Sequence, residues 1–233
     1  MKTKFFVAYL FVGRFSHGAT LIFNTSDGPG DGEGSWTLSR PSLPSNPSFL
    51  TGYTINPDAP FPYPIIEYRA HLSFSISGIA APIQSAVLLL SQQAGYDIAV
   101  DAGTVTLGLF DVSTDAVTLN MASGVQPAIF DDLGTGISYG TAPVSLVHNI
   151  SRVVEIPLNQ AAIAAMQNGA VFSIGMRVLE GDGSQDHYLF GNSGLAPNPF
   201  VHELRVTTVP EPSCTMLLAV ALLFQSWRRR AAR

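Results

Sequence analysis

The chain has 233 residues, enough for one domain of ordinary size plus peripheral segments. Hydrophobic residues make up 46% and charged ones only 12%, with 21 glycines and 16 prolines. That balance excludes a disordered chain and favours short strands joined by many turns over a helical bundle. The formal net charge of −5 is unevenly spread: residues 19–208 hold five arginines, no lysine and sixteen acidic groups, a net −11 that repels phosphate backbones and disfavours nucleic-acid partners.

The N-terminus, MKTKFFVAYLFVGRFSHGAT, places Lys2 and Lys4 before the apolar run Phe5–Val12, with the small residues Gly18 and Ala19 after it. A basic start, an apolar middle and a small cleavage site are the parts of a secretory signal peptide. The expected signal is residues 1–18, leaving a mature chain that starts near ATLIFNT.

Next comes the acidic turn NTSDGPGDGEG. Asp27, Asp31 and Glu33 offer hard oxygen ligands on a glycine-rich loop, as calcium requires, but without the spacing of an EF-hand. EGDGSQD, with Glu180, Asp182 and Asp186, has the same character; solvated turns use the same residue types. The segment 35–64 is dense in proline and reads as an ordered wrap with one short strand near Phe49–Ile55.

Period-two alternation then dominates. In YRAHLSFSISG, Tyr68, Ala70, Leu72, Phe74 and Ile76 fall on one face and Arg69, His71, Ser73, Ser75 and Ser77 on the other, the pattern of a strand with one face in solvent. SAVLLLSQ, TVTLGLFDV, VVEIPL, VFSIGMRVL, HYLFG and VHELRVTT read as further strands. One short helix is expected at NQAAIAAMQNG, capped by Asn159 and stopped by Gly169 in a left-handed conformation, with Ile163 and Met166 against a sheet. The expected fold is all-β: one antiparallel β-sandwich, jelly-roll-like, over residues 19–208.

The chemistry-bearing residues point to no known catalytic pattern. No H-E-x-x-H, G-x-S-x-G or G-x-x-x-x-G-K spacing occurs. Alternation places His71 and His202 on outward faces, His187 beside Asp186 in a surface turn, and Glu67, Glu155 and Glu203 toward solvent. A glycosidase would need a facing carboxylate pair, which the sequence neither offers nor forbids, so a secreted hydrolase is the least favoured reading. Sugar binding would need exposed rings to stack on pyranose faces, for which Trp36, Tyr53, Tyr63, Tyr96 and Tyr139 are the candidates. The single cysteine, Cys214, permits no internal disulfide and no cysteine-based zinc site.

The tail reads VPEPSCTMLLAVALLFQSWRRRAAR. A helix over residues 214–227 would be about 21 Å long, short of the ~30 Å hydrocarbon core. The arginines after it would stay on the cytoplasmic side and halt export. Pro210-Glu211-Pro212, an apolar run and Arg228-Arg229-Arg230, in that order, resemble the PEP-CTERM sorting signal of exported proteins from bacteria with outer membranes. That resemblance implies recognition by an exosortase, a membrane transpeptidase, near the Pro-Glu-Pro. It also implies transient residence in the inner membrane and a destination at the cell surface or in the extracellular matrix of a biofilm.

The stretch 68–208 is similar, through YRAHLSFSI, GLFDVST, AIFDDLGTGISYG, VVEIPLNQAAIAAM and HYLFG, to a β-sandwich module of exported bacterial surface proteins. This second likeness implies a fold without an activity. Residues 209–233 are thus expected to be a sorting and transient membrane segment, and the body a non-catalytic surface or matrix protein. The alternative is a carbohydrate-binding module for extracellular polysaccharide.

Overall fold

The computed structural model describes residues 18–25, 32–38, 49–55, 65–92, 98–99, 103–147, 150–180, 187–190 and 202–209. The expected signal segment up to residue 17, the proline-rich stretch 56–64 and the tail from Pro210 lie outside them.

Two antiparallel sheets pack face to face. The smaller has the order β1 (Thr20–Asn24), β12 (Glu203–Thr208), β5 (Ile83–Gln92), β9 (Arg152–Pro157). The larger runs β6 (Ile98–Ala99), β11 (His187–Leu189), β3 (Thr51–Ile55), β4 (Ile65–Ser75), β10 (Val171–Val178), β7 (Thr104–Asp111), β8 (Ser138–Ser145). The 11-residue β4 is long enough to hold two partners on one edge: β3 pairs with its first part and β2 (Gly32–Trp36) with Arg69–Ser73.

The period-two pattern has its expected cause. Phe172, Ile174, Met176 and Val178 of β10, Val105, Leu107 and Leu109 of β7, and Leu204 and Val206 of β12 are all buried between the sheets. Each fully buried side chain of this kind contributes about 1.5–3 kcal/mol relative to exposure. Phe190, which follows β11, is also fully buried, in the left-handed region (φ 70°), with its ring 5.6 Å from that of Phe49. A bulky residue is strained there by roughly 1–3 kcal/mol, so burial of the ring outweighs the backbone cost.

The expected helix forms as α3 (Gln160–Asn168). Asn159 Oδ1 accepts from the N–H groups of Ala161 (3.0 Å) and Ala162 (3.2 Å), while its Nδ2 donates to Ser138 O at 2.7 Å. One side chain therefore caps the helix and ties it to β8. Asn159→Ala should cost about 1–2 kcal/mol in urea denaturation; a loss below a few tenths would mean that the cap is dispensable. Gly169 departs from expectation: it is extended (φ −120°, ψ 155°), not left-handed. Its small size matters instead, because a Cβ there would lie 3.0 Å from Val171 O.

Two further helices, α1 (Ala116–Met121) and α2 (Pro127–Asp132), correct the expectation of a single one. With six residues each, they are too short to show a helical period. Asp115 caps α1 by accepting from Thr118 N at 2.9 Å, and Pro127 opens α2. Leu119, Ile129, Phe130 and Leu133 bury themselves with Trp36 in a second, smaller core.

Candidate functional site

The second core lies on the face of β4 that alternation assigned to solvent. Arg69, His71 and Ser73 are all buried, which overturns that assignment. His71 pairs across the sheet with Gly34 of β2 and Gly175 of β10, so its row carries no competing side chains. The helix layer fills the space. Asn120 of α1 stands over Gly32, where a Cβ would come within 2.3 Å of its amide, and the Leu133 backbone stands over Gly175, where a Cβ would come within 2.5 Å of Leu133 O.

Arg69 links sheet to helix. Its Nε donates to Glu67 Oε1 at 2.9 Å and its NH1 to Phe130 O at 3.0 Å, and the guanidinium lies 4.1 Å from the Phe130 ring centroid. Arg177 brings a second guanidinium within 3.3 Å of the same Glu67 oxygen. Glu67 is therefore an ion-pair partner, not a solvated carboxylate.

His71 Nε2 lies 3.2 Å from Asn120 Oδ1, and its Nδ1 has no hydrogen-bond partner among the described residues. Burial lowers its pKa to about 4, only partly opposed by the Asn120 hydrogen bond. His202, also expected outside, has no exposed surface. Its ring centroid is 4.3 Å from that of Phe49, its Nδ1 accepts from Ser91 N–H at 3.3 Å, and Nε2 faces Glu33 Oε2 at 3.6 Å. Burial lowers this pKa to about 3 despite the nearby carboxylate. Both rings are structural elements of the interior.

The calcium candidates are not gathered. Glu33 accepts from Thr25 Oγ1 at 3.2 Å and faces His202, while Glu180 accepts from Thr106 Oγ1 at 2.9 Å. Asp27, Asp31, Asp182 and Asp186 lie outside the described residues, and among those described no group of three metal-ligating side chains occurs. Of the sugar-binding candidates, Trp36 is 2% exposed in the second core. Tyr139 is buried with its ring stacked 5.4 Å from Phe172, and Tyr53 packs half-buried against the main core. Tyr63 and Tyr96 are not described. The rings that are described therefore fill cores.

Sequence reasoning missed Asp132. Burial raises its pKa, but hydrogen bonds from the backbone and hydroxyls of Thr114 and Ser113 prevail and hold it below the usual range. It clamps the start of α1 to the end of α2; separated by 18 residues from Thr114, it left no local signal. Beside this clamp an open groove of 480 Å³ runs between Val112–Val117 and Val171–Ser173.

The residues expected to form a sorting signal, Pro210, Glu211, Pro212, Arg228, Arg229 and Arg230, lie outside the described residues. β1 and β12 pair antiparallel with Thr20 opposite Thr207, Thr208 N donates to Ala19 O at 2.9 Å, and Val209 N donates to Pro82 O at 2.8 Å. Ala19 and Thr208 therefore lie side by side at one corner of the smaller sheet. Among the described residues no helix is long and apolar enough to cross a membrane. No protein-family model matches the chain, and no curated protein matches it significantly.

Proposed function

We propose that this is an exported, non-catalytic protein of the bacterial cell surface or extracellular matrix, sorted through a C-terminal PEP-CTERM signal by an exosortase-type transpeptidase. The observation that carries the reading is the order Pro210-Glu211-Pro212, apolar run, Arg228-Arg229-Arg230, directly after the last strand. The body supports it through its limits. Among the described residues backbone pairing starts at Ala19 and ends at Val209, so removal of residues 1–18 and of everything beyond Pro212 would leave each described strand and hydrogen bond in place. The sandwich, on this reading, is of jelly-roll type: consecutive β4 and β5 lie in opposite sheets, and the first and last described strands, β1 and β12, pair with each other. Polysaccharide binding is the weaker reading, since Trp36 and Tyr139 present no open ring face for a sugar.

Intact-mass analysis of the protein recovered from its native host tests the proposal. The expected mass lacks the first 18 residues and everything beyond the Pro-Glu-Pro. Recovery from the inner membrane with Arg233 still attached would sink it.

A further inference from the structure

The helix layer is an excursion with a closed neck. Strands β7 and β8 pair antiparallel, with Phe110 opposite Ser138, and Asp111 N donates to Ile137 O at 2.9 Å. The chain leaves the larger sheet at Val112, builds α1 and α2, and returns beside its point of departure through Gly136, which lies in the left-handed region (φ 88°). The apolar side chains of the layer pack with Trp36 in a cluster separate from the main core. Lifting the layer therefore exposes the smaller core and leaves the β7–β8 pairing and the space between the sheets intact.

His71 lies on the surface that the layer covers and is 2% exposed. Its Nε2 faces the Asn120 amide oxygen, an acceptor, so Nε2 carries the ring hydrogen and Nδ1 is bare, with no partner among the described residues. A proton at Nδ1 puts a charge and an unpaired donor into the interface. The charged groups of the packed elements do not compensate it. Arg69, next on the same face of β4, has the same sign; it shares Glu67 with Arg177 of β10 and lies 3.9 Å from Asp131 of α2. Asp132 holds Ser113 and Thr114, Asp115 caps α1, and Glu33 of β2 faces His202. β2 and β10 set only Gly34 and Gly175 opposite His71.

We propose that α1 and α2 form an acid-opened cover, which swings out from the β7–β8 neck when His71 takes up a proton and yields the ring to water. His202 plays no part in this motion. It packs on Phe49 of the main core, so water reaches it only when the sandwich itself opens. His71 titrates at about 4 under the cover and near 6.5 once exposed, so opening becomes easier as pH falls below 6.5 and levels off below about 4. Between pH 7 and 4.5 the open population rises roughly 50-fold. The inference is independent of the sorting reading, because the cover and its neck lie wholly within the body.

Hydrogen exchange of the full-length chain in mild detergent tests it. After correction for the intrinsic pH dependence of exchange, amides of α1 and α2 should accelerate roughly 50-fold from pH 7 to 4.5. At both pH values they should be less protected than amides of β5 and β12. His71→Leu should flatten the response of the layer, whereas His202→Leu should leave it unchanged. Equal protection of the layer and of β5 and β12 in the unaltered chain would overturn the proposal without recourse to a variant. So would a layer response that survives His71→Leu or that follows His202.

Discussion

Arg69→Met is expected to lower the unfolding free energy by about 3 kcal/mol and to loosen α2 more than the sandwich. Methionine restores most of the apolar volume but none of the donors. The carbonyls of Phe130 and Asp131, at the end of a helix where intrahelical partners run out, lose the NH1 group that lies 3.0 and 3.4 Å from them. Glu67 loses the 2.9 Å bond from Nε. Breaking a buried pair from one side costs ~3–5 kcal/mol. The lower end applies here because Glu67 is a quarter exposed and Arg177 stays 3.3 Å away. Arg69→Lys should rescue little, since one ammonium cannot serve the Glu67 carboxylate and the helix carbonyls in the same planar geometry. Guanidinium denaturation gives the magnitude, and hydrogen exchange over residues 127–134 gives the location. A loss below about 1 kcal/mol, or uniform exchange across both sheets, would show that Arg69 is not what holds the helix down.

Acid should destabilise the protein well before its carboxylates titrate. His71 and His202 are buried and neutral, with pKa values lowered from 6.5 to about 4 and about 3. Below pH 6.5 the unfolded chain takes up these protons while the native chain does not. Stability therefore falls as pH drops from 6.5 toward 4, and above 6.5 these two groups add no slope. At about 1.36 kcal/mol per pKa unit, His71 alone accounts for about 3 kcal/mol over that window, and His202 for a similar amount extending below it. His71→Leu should roughly halve the slope of unfolding free energy against pH between 6.5 and 4. The slope is the informative readout, since the absolute stability of the variant also reflects the lost contact between His71 and Asn120. A flat profile across this window would mean that the rings are protonated in the folded state.

Strands that bury one face on the main core were legible because their alternation is a direct consequence of packing between two sheets. β4, β5, β7, β9, β10, β11 and β12 all fall where the sequence places strands, and α3 follows from a capping asparagine before an alanine run. The polarity of the second face was not legible as exposure. Arg69, His71 and Ser73 read as solvated because nothing near them in sequence announces a cover. The cover comes from α1 and α2, some 45–65 residues away, and from Trp36 on the other side. The stretch that becomes β2 read as an acidic turn, yet its glycines serve close approach: Gly32 leaves room for Asn120, and β4 supplies the pairing.

The site candidates divide in the same way. Residue type alone nominated Glu33, Trp36 and Tyr139, but whether a carboxylate is free or a ring is open depends on distant partners, and His202, Leu119 and Phe172 decide those cases. By itself, the sequence determined the acidic lysine-free body, its strand-rich interior and the ordered motif after Thr208, because composition, alternation and a contiguous motif are local properties. Only the tertiary structure decided that the outer face of β4 is a second core, that His71 and His202 are interior, and that the first and last described strands are neighbours. Each of these rests on contacts between segments far apart in the chain, which no local pattern encodes.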